Sequence, residues 1–82
     1  MNNLQFRDKK GRLLFEISGE FALVVYNSLK EKPNFTLTTR KIFKNDKNKS
    51  VVLECINDCG YTMNGMLTFL LNKGEYIVCE LS

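Results

Sequence analysis

Along the first eighteen residues, apolar and polar positions alternate, break, and alternate again. Leu4 and Phe6 stand between polar neighbours, and Leu13, Phe15 and Ile17 repeat the pattern. Period two marks a strand with one buried face. Asp8-Lys9-Lys10-Gly11 between them has turn chemistry. Asp accepts from the backbone two residues on, and Gly takes positive φ without a Cβ clash. The stretch predicts a β-hairpin.

The period then changes. Phe21, Ala22, Val25 and Leu29 fall on one face of a helix near residues 19–31. Ser18 can cap it, Glu20 suits its positive end, and Lys30 and Lys32 suit its negative end. Pro33 stops it. "NFTLTTRKIF" (34–43) and "SVVLECI" (50–56) follow as strands rich in Thr, Val and aromatic residues. The polar run "KNDKNK" (44–49) joins them. "NDCG" (57–60) and "NKG" (72–74) repeat the turn grammar of "DKKG". Between those two turns, "YTMNGMLTFLL" (61–71) supports two readings. Tyr61, Met63, Leu67, Phe69 and Leu71 keep strand parity, with Gly65 as a bulge. Met63, Met66, Leu67, Leu70 and Leu71 also suit a second short helix at 64–73, with Asn64 capping and Gly74 stopping it. The strand is preferred, because three similar turns in a row suggest an antiparallel meander. "EYIVCEL" (75–81) closes as a strand.

The elements sum to one small α+β domain over residues 1–82, in the order ββαβββ(β). A largely antiparallel sheet packs one face on the helix near 19–31. With 82 residues, the chain has room for one modest core. Hydrophobic residues make up 44% of it, which argues against disorder. The polar start "MNNLQFRDKKGR" has no apolar core of a signal peptide. The longest apolar run, Phe21 to Tyr26, is too short for a membrane span. Three cysteines, an odd count, suggest free thiols. The expectation is a soluble protein of a bacterial cytoplasm.

Composition also narrows the chemistry. The chain has no histidine, so imidazole acid–base work and His ligation are excluded. Neither G-x-G-x-x-G nor G-x-x-x-x-G-K-[ST] is present, so no cofactor is expected. Cys55, Cys59 and Cys79 read as small buried hydrophobes. A metal site from them with Asp58 is the weaker alternative, since one C-x3-C is a poor zinc signature. Cys59 is the one thiol expected on an exposed turn, and the neighbouring Asp58 would disfavour its thiolate. The expectation is a protein that is not an enzyme.

Charge changes the picture most. The net is +3, unevenly spread. Residues 1–49 hold eleven cations against five carboxylates (+6), and residues 50–82 hold Lys73 against four (−3). Five of the cations crowd "TTRKIFKNDKNKS" (38–50). Arg40, Lys41, Phe43, Lys44, Lys47 and Lys49 are therefore the candidate partner-binding residues. Two partners suit them. One is an acidic site on another protein, which the chain would occupy as a non-catalytic binding module. The other is DNA or RNA, with lysines on phosphates and Phe43 stacking on a base. The bland alternative is a solvated hairpin tip whose lysines protect an edge. Protein binding is preferred, because Asp8 and Asp46 interrupt the basic clusters and strand alternation splits Arg40 from Lys41. A homodimer through the outer strand edges is a further expectation. The Lys-, Asn-, Phe- and Leu-rich composition is similar to that of small proteins of low-GC Gram-positive bacteria and their phages. It suggests an accessory protein that inhibits a host defence or nucleic-acid-processing protein.

Overall fold

A computed structural model describes residues 2–43, 45 and 47–82. The element order is β1 (Asn3–Arg7), β2 (Leu13–Ser18), α1 (Glu20–Lys30), β3 (Phe35–Arg40), β4 (Ser50–Cys55), β5 (Cys59–Met63), β6 (Leu67–Leu71) and β7 (Tyr76–Glu80). It is the α+β arrangement expected, with one helix and antiparallel pairing throughout. Five strands form the main sheet in the order β2-β1-β7-β4-β3, and β5 pairs only with β6.

The predicted β1–β2 turn forms as its chemistry requires. The Asp8 carboxylate accepts the Lys10 amide at 2.9 Å, and the Gly11 amide donates to the Asp8 carbonyl at 3.0 Å. Gly11 has φ of 88°, a region that favours Gly. The helix start differs from expectation. Gly19, not Ser18, is the N-cap, and no side chain caps the helix. The Ser18 hydroxyl instead donates to the Asn3 side chain at 3.1 Å, which ties β2 to β1. The backbone holds the entry, with the Gly19 amide on the Asn2 carbonyl at 2.9 Å.

Residues 61–71 form neither one strand nor a helix. They belong to the β5–β6 hairpin, whose turn is Asn64-Gly65. Both residues have positive φ, 48° and 68°, and the Met66 amide closes the turn on the Met63 carbonyl at 2.9 Å. Two consecutive positive φ values mark a primed turn, and Met66 is the third residue between the paired Met63 and Leu67. Gly65 is thus a turn residue and not a bulge, and the alternative helix at 64–73 is ruled out.

Alternation gives the main sheet two unlike faces. On one, Leu4, Phe6, Ile17, Leu53, Ile77 and Cys79 join Ala22, Val25 and Leu29 of α1 in the core. Phe21, expected on that helix face, is 40% exposed. The hairpin covers the rest of this face through aromatic contacts. Phe6 stacks on Phe15 with centroids 4.2 Å apart and meets the edge of Phe69 at 4.9 Å. Tyr61 stacks on Phe69 at 5.0 Å. Phe6 therefore bonds the small sheet to the large one. Phe6→Ala should cost about 3–5 kcal/mol in chemical denaturation. Val24→Ala, on the solvent side of α1, should change stability by no more than about 0.5 kcal/mol.

Candidate functional site

The second face of the sheet carries Gln5 and Arg7 of β1, Tyr76 and Val78 of β7, Val52 and Glu54 of β4, and Thr38 and Arg40 of β3. Val52, Tyr76 and Val78 are buried although no helix lies there. Their cover is the β3–β4 connection. Strand β3 ends at Arg40 rather than continuing to Phe43, and Ile42 packs on those three side chains. Ile42 and Phe43 of the basic stretch thus lie over this face of the sheet.

Arg40 has become part of that layer. Its guanidinium lies 3.8 Å from the centroid of the Tyr76 ring, a close cation–π contact. Its Nη1 donates to Glu54 Oε1 at 2.9 Å. The charge split along the sequence is therefore partly cancelled in space, because a C-terminal carboxylate neutralises an N-terminal cation.

Phe43 extends the cover towards β1. Its ring is 56% exposed, and the Arg7 guanidinium carbon lies 5.6 Å from its centroid. Arg7 is held from below. Its Nε and Nη2 donate to Gln5 Oε1 at 3.3 and 2.9 Å, and its Nη1 donates to the Gly11 carbonyl at 2.8 Å. Phe43 and Arg7 thereby link the loop after β3 to the β1–β2 turn. That turn carries Lys9, Lys10 and Arg12, so two basic segments distant in sequence meet on one side of the molecule.

Beside that turn lies an open cleft of about 260 Å³ lined by Asp8, Lys9, Lys10, Arg12, Asn72 and Glu75. Its two carboxylates serve structure. Asp8 accepts the Arg12 amide and Arg12 Nε at 2.9 and 2.8 Å, and Glu75 accepts the Asn72 amide at 2.6 Å. The Arg12 amide, first among several donors, holds the Asp8 pKa below its ordinary value. Neither group is placed as a free acid–base partner.

The sequence-predicted residues thus separate into two kinds. Arg40 is a structural member of the outer layer. Lys41, Phe43, Lys47 and Lys49 are exposed around it, while Lys44 lies outside the described residues. Sequence reasoning missed Arg7, Ile42 and Tyr76. The available signal was an isolated Ile inside a cationic run, which a solvated tip would not need.

All three thiols are buried, including Cys59, which sits in β5 rather than on an exposed turn. Burial raises the Cys55 pKa and pushes Cys79 up to about 11. A buried neutral thiol is a poor nucleophile. Among the described residues, no group of three or more His, Cys, Asp or Glu could hold a metal ion. No helix among them is long and apolar enough to cross a membrane.

Compared with family models, with curated proteins and with solved structures, the chain finds no match. Function has to be argued from the geometry. The division of the basic residues gives a first test. Arg40→Ala should lower stability by about 1–2 kcal/mol through the lost ring contact and ion pair. Lys41→Ala should shift it by no more than about 0.5 kcal/mol. Urea denaturation measures both.

Proposed function

We propose that the protein is a non-catalytic binding module that occupies an acidic surface on another protein. The contact surface is the outer loop with Lys41, Phe43, Lys47 and Lys49, bordered by Arg7 and the Lys9–Arg12 turn. One observation carries this: Phe43 is more than half exposed and lies beside Arg7, where the two basic segments meet. An exposed aromatic ring inside a cationic rim has the anatomy of a protein interface, with an apolar anchor at the centre and polar groups around it. A host nucleic-acid-processing or defence protein is a target class whose active surfaces would offer the required carboxylates.

The non-catalytic character rests on chemistry. Imidazole is absent, the thiols are buried, and the cleft carboxylates are committed to backbone amides. The protein partner is preferred over nucleic acid because the arginines are already engaged. Arg7 is bonded to Gln5 and Gly11, Arg40 to Glu54, and Arg12 to Asp8. Guanidinium forks suit phosphate best, and here each already has an internal acceptor, with Arg12 still largely exposed. The second reading, direct DNA or RNA binding, is favoured by the exposed Phe43 as a stacking surface.

Salt separates the two. Binding to mixed-sequence DNA or RNA should fall by orders of magnitude between about 50 and 200 mM salt. A protein complex anchored on Phe43 should survive that change in nuclease-treated extract. Replacing Lys41, Lys47 and Lys49 by Glu should abolish capture of the partner with the fold intact, and Phe43→Ala should weaken it at every salt concentration. Retention of the partner by the triple variant would refute this surface. Binding of nucleic acid alone would select the second reading.

A further inference from the structure

We propose that the protein forms a two-fold dimer by pairing β3 with β3 of a second copy, joining two five-stranded sheets into one. The proposal is independent of the loop surface above and starts from the hydrogen-bond register. The Ile56 amide donates to the Asn34 carbonyl at 2.8 Å, and Phe35 lies opposite Cys55. In an antiparallel ladder, bonded and non-bonded pairs alternate. Thr36, Thr38 and Arg40 therefore direct their amides and carbonyls at β4. Leu37 and Thr39 direct theirs outwards, along the free edge of the sheet.

Both ends of the sheet order are edges, and they differ. Edge β2 carries a bulge, where Leu13 and Leu14 stand against Arg7, and a charge at Glu16. Bulges and charges are the usual devices against edge pairing. From Phe35 to Thr39, β3 has neither, nor a proline. Arg40, the one charge in the strand, is neutralised by Glu54 on the outer face. The edge is thus uncharged where a second strand would lie.

Symmetry favours a second copy as that strand. A two-fold axis normal to the sheet keeps each core face on the same side, so only residues of like parity can face each other. With the axis at Leu37, each Leu37 exchanges its amide and carbonyl with its mate. Each Thr39 amide reaches the Phe35 carbonyl of the other copy. The Phe35 amide is already bonded to Lys32 and is not needed.

Leu37 also supplies the apolar part. It faces the core side of the sheet yet is 53% exposed, and Val51, opposite Thr39 and diagonal to Leu37 on β4, is 38% exposed. Pairing puts the two Leu37 side chains in contact and extends the apolar surface from one copy to the next. A stable interface buries about 1,200–2,000 Å² in total. A short strand edge with two partly covered side chains per copy is a small interface of the weakly associating kind, so dimerisation is expected in the micromolar range or above. In the dimer, the two Arg40 Cα atoms lie roughly 20 Å apart, three residues either side of the axis. Both basic loops then share one outer face.

Sedimentation equilibrium over the micromolar range tests this. The mass should rise from 9.5 kDa to twice that value. Raising salt should tighten the dimer slightly, because each copy carries a net charge of +3, whereas the complex of the loop with an acidic partner should weaken modestly and still survive through Phe43. Failure of one is therefore distinguishable from failure of the other. Leu37→Lys and Thr39→Pro should stay monomeric with unchanged far-ultraviolet circular dichroism, since the Leu37 side chain is half exposed and the Thr39 amide points away from β4. Glu16→Lys, on the other edge, should still dimerise. Hydrogen exchange on the unaltered protein gives a readout without mutation: the Leu37 and Thr39 amides should be protected at high concentration and exposed at low. A monomer at every concentration, a dimer unaffected by both edge variants, or exchange at these amides independent of concentration would overturn the proposal.

Discussion

Four consecutive residues of β7, Tyr76 to Cys79, are buried, and this burial governs the rest of the molecule. A strand in mid-sheet points alternate side chains to opposite faces. When both sets are apolar, both faces must be covered. The helix and the β5–β6 hairpin cover one face, over Ile77 and Cys79. Nothing comparable remains for Val52, Tyr76 and Val78 on the other, so the β3–β4 connection supplies the cover with Ile42. The start of a basic segment is thereby drawn onto the sheet by a partly buried apolar side chain.

The consequence for function is a sorting of charges. Arg40 lies where its guanidinium meets the Tyr76 ring and the Glu54 carboxylate, and it becomes part of the cover. Arg7 is fixed by Gln5 and Gly11 beneath Phe43. Lys41, Lys47 and Lys49 are exposed to solvent, where an acidic partner can reach them. Loop and edge are then distinct assets of one fold: the loop offers charge and an aromatic ring, and β3 offers backbone groups and Leu37.

Much of this was legible in the sequence, for identifiable reasons. Strand parity, the Asp8–Gly11 turn and the helix up to Pro33 are local, and each appears where its residues predict it. The Asn64-Gly65 hairpin was masked by parity. Met63 and Leu67 lie opposite each other and face the same side. Alternation therefore runs unbroken from Tyr61 to Leu71 through a turn, and two strands imitate one. The helix cap was misassigned because Ser18 found a cross-strand partner in Asn3. The strand order could not be read at all, because β1 pairs with β7 across the whole length of the chain. The same long-range pairing hides the site: only when β7 lies between β1 and β4 do Arg7, Tyr76 and Arg40 share a face.

What most needs checking is that the basic loop is a lid on the sheet and not a free arm. Nuclear Overhauser contacts between the Ile42 methyl groups and those of Val52 and Val78 report on this directly. Strong contacts, with Val78 methyl shifts displaced by the adjacent Tyr76 ring, are the expected result. Random-coil shifts for Ile42 and no contact to either valine would mean that the second face is open, and the division of roles among the cations would fail with it.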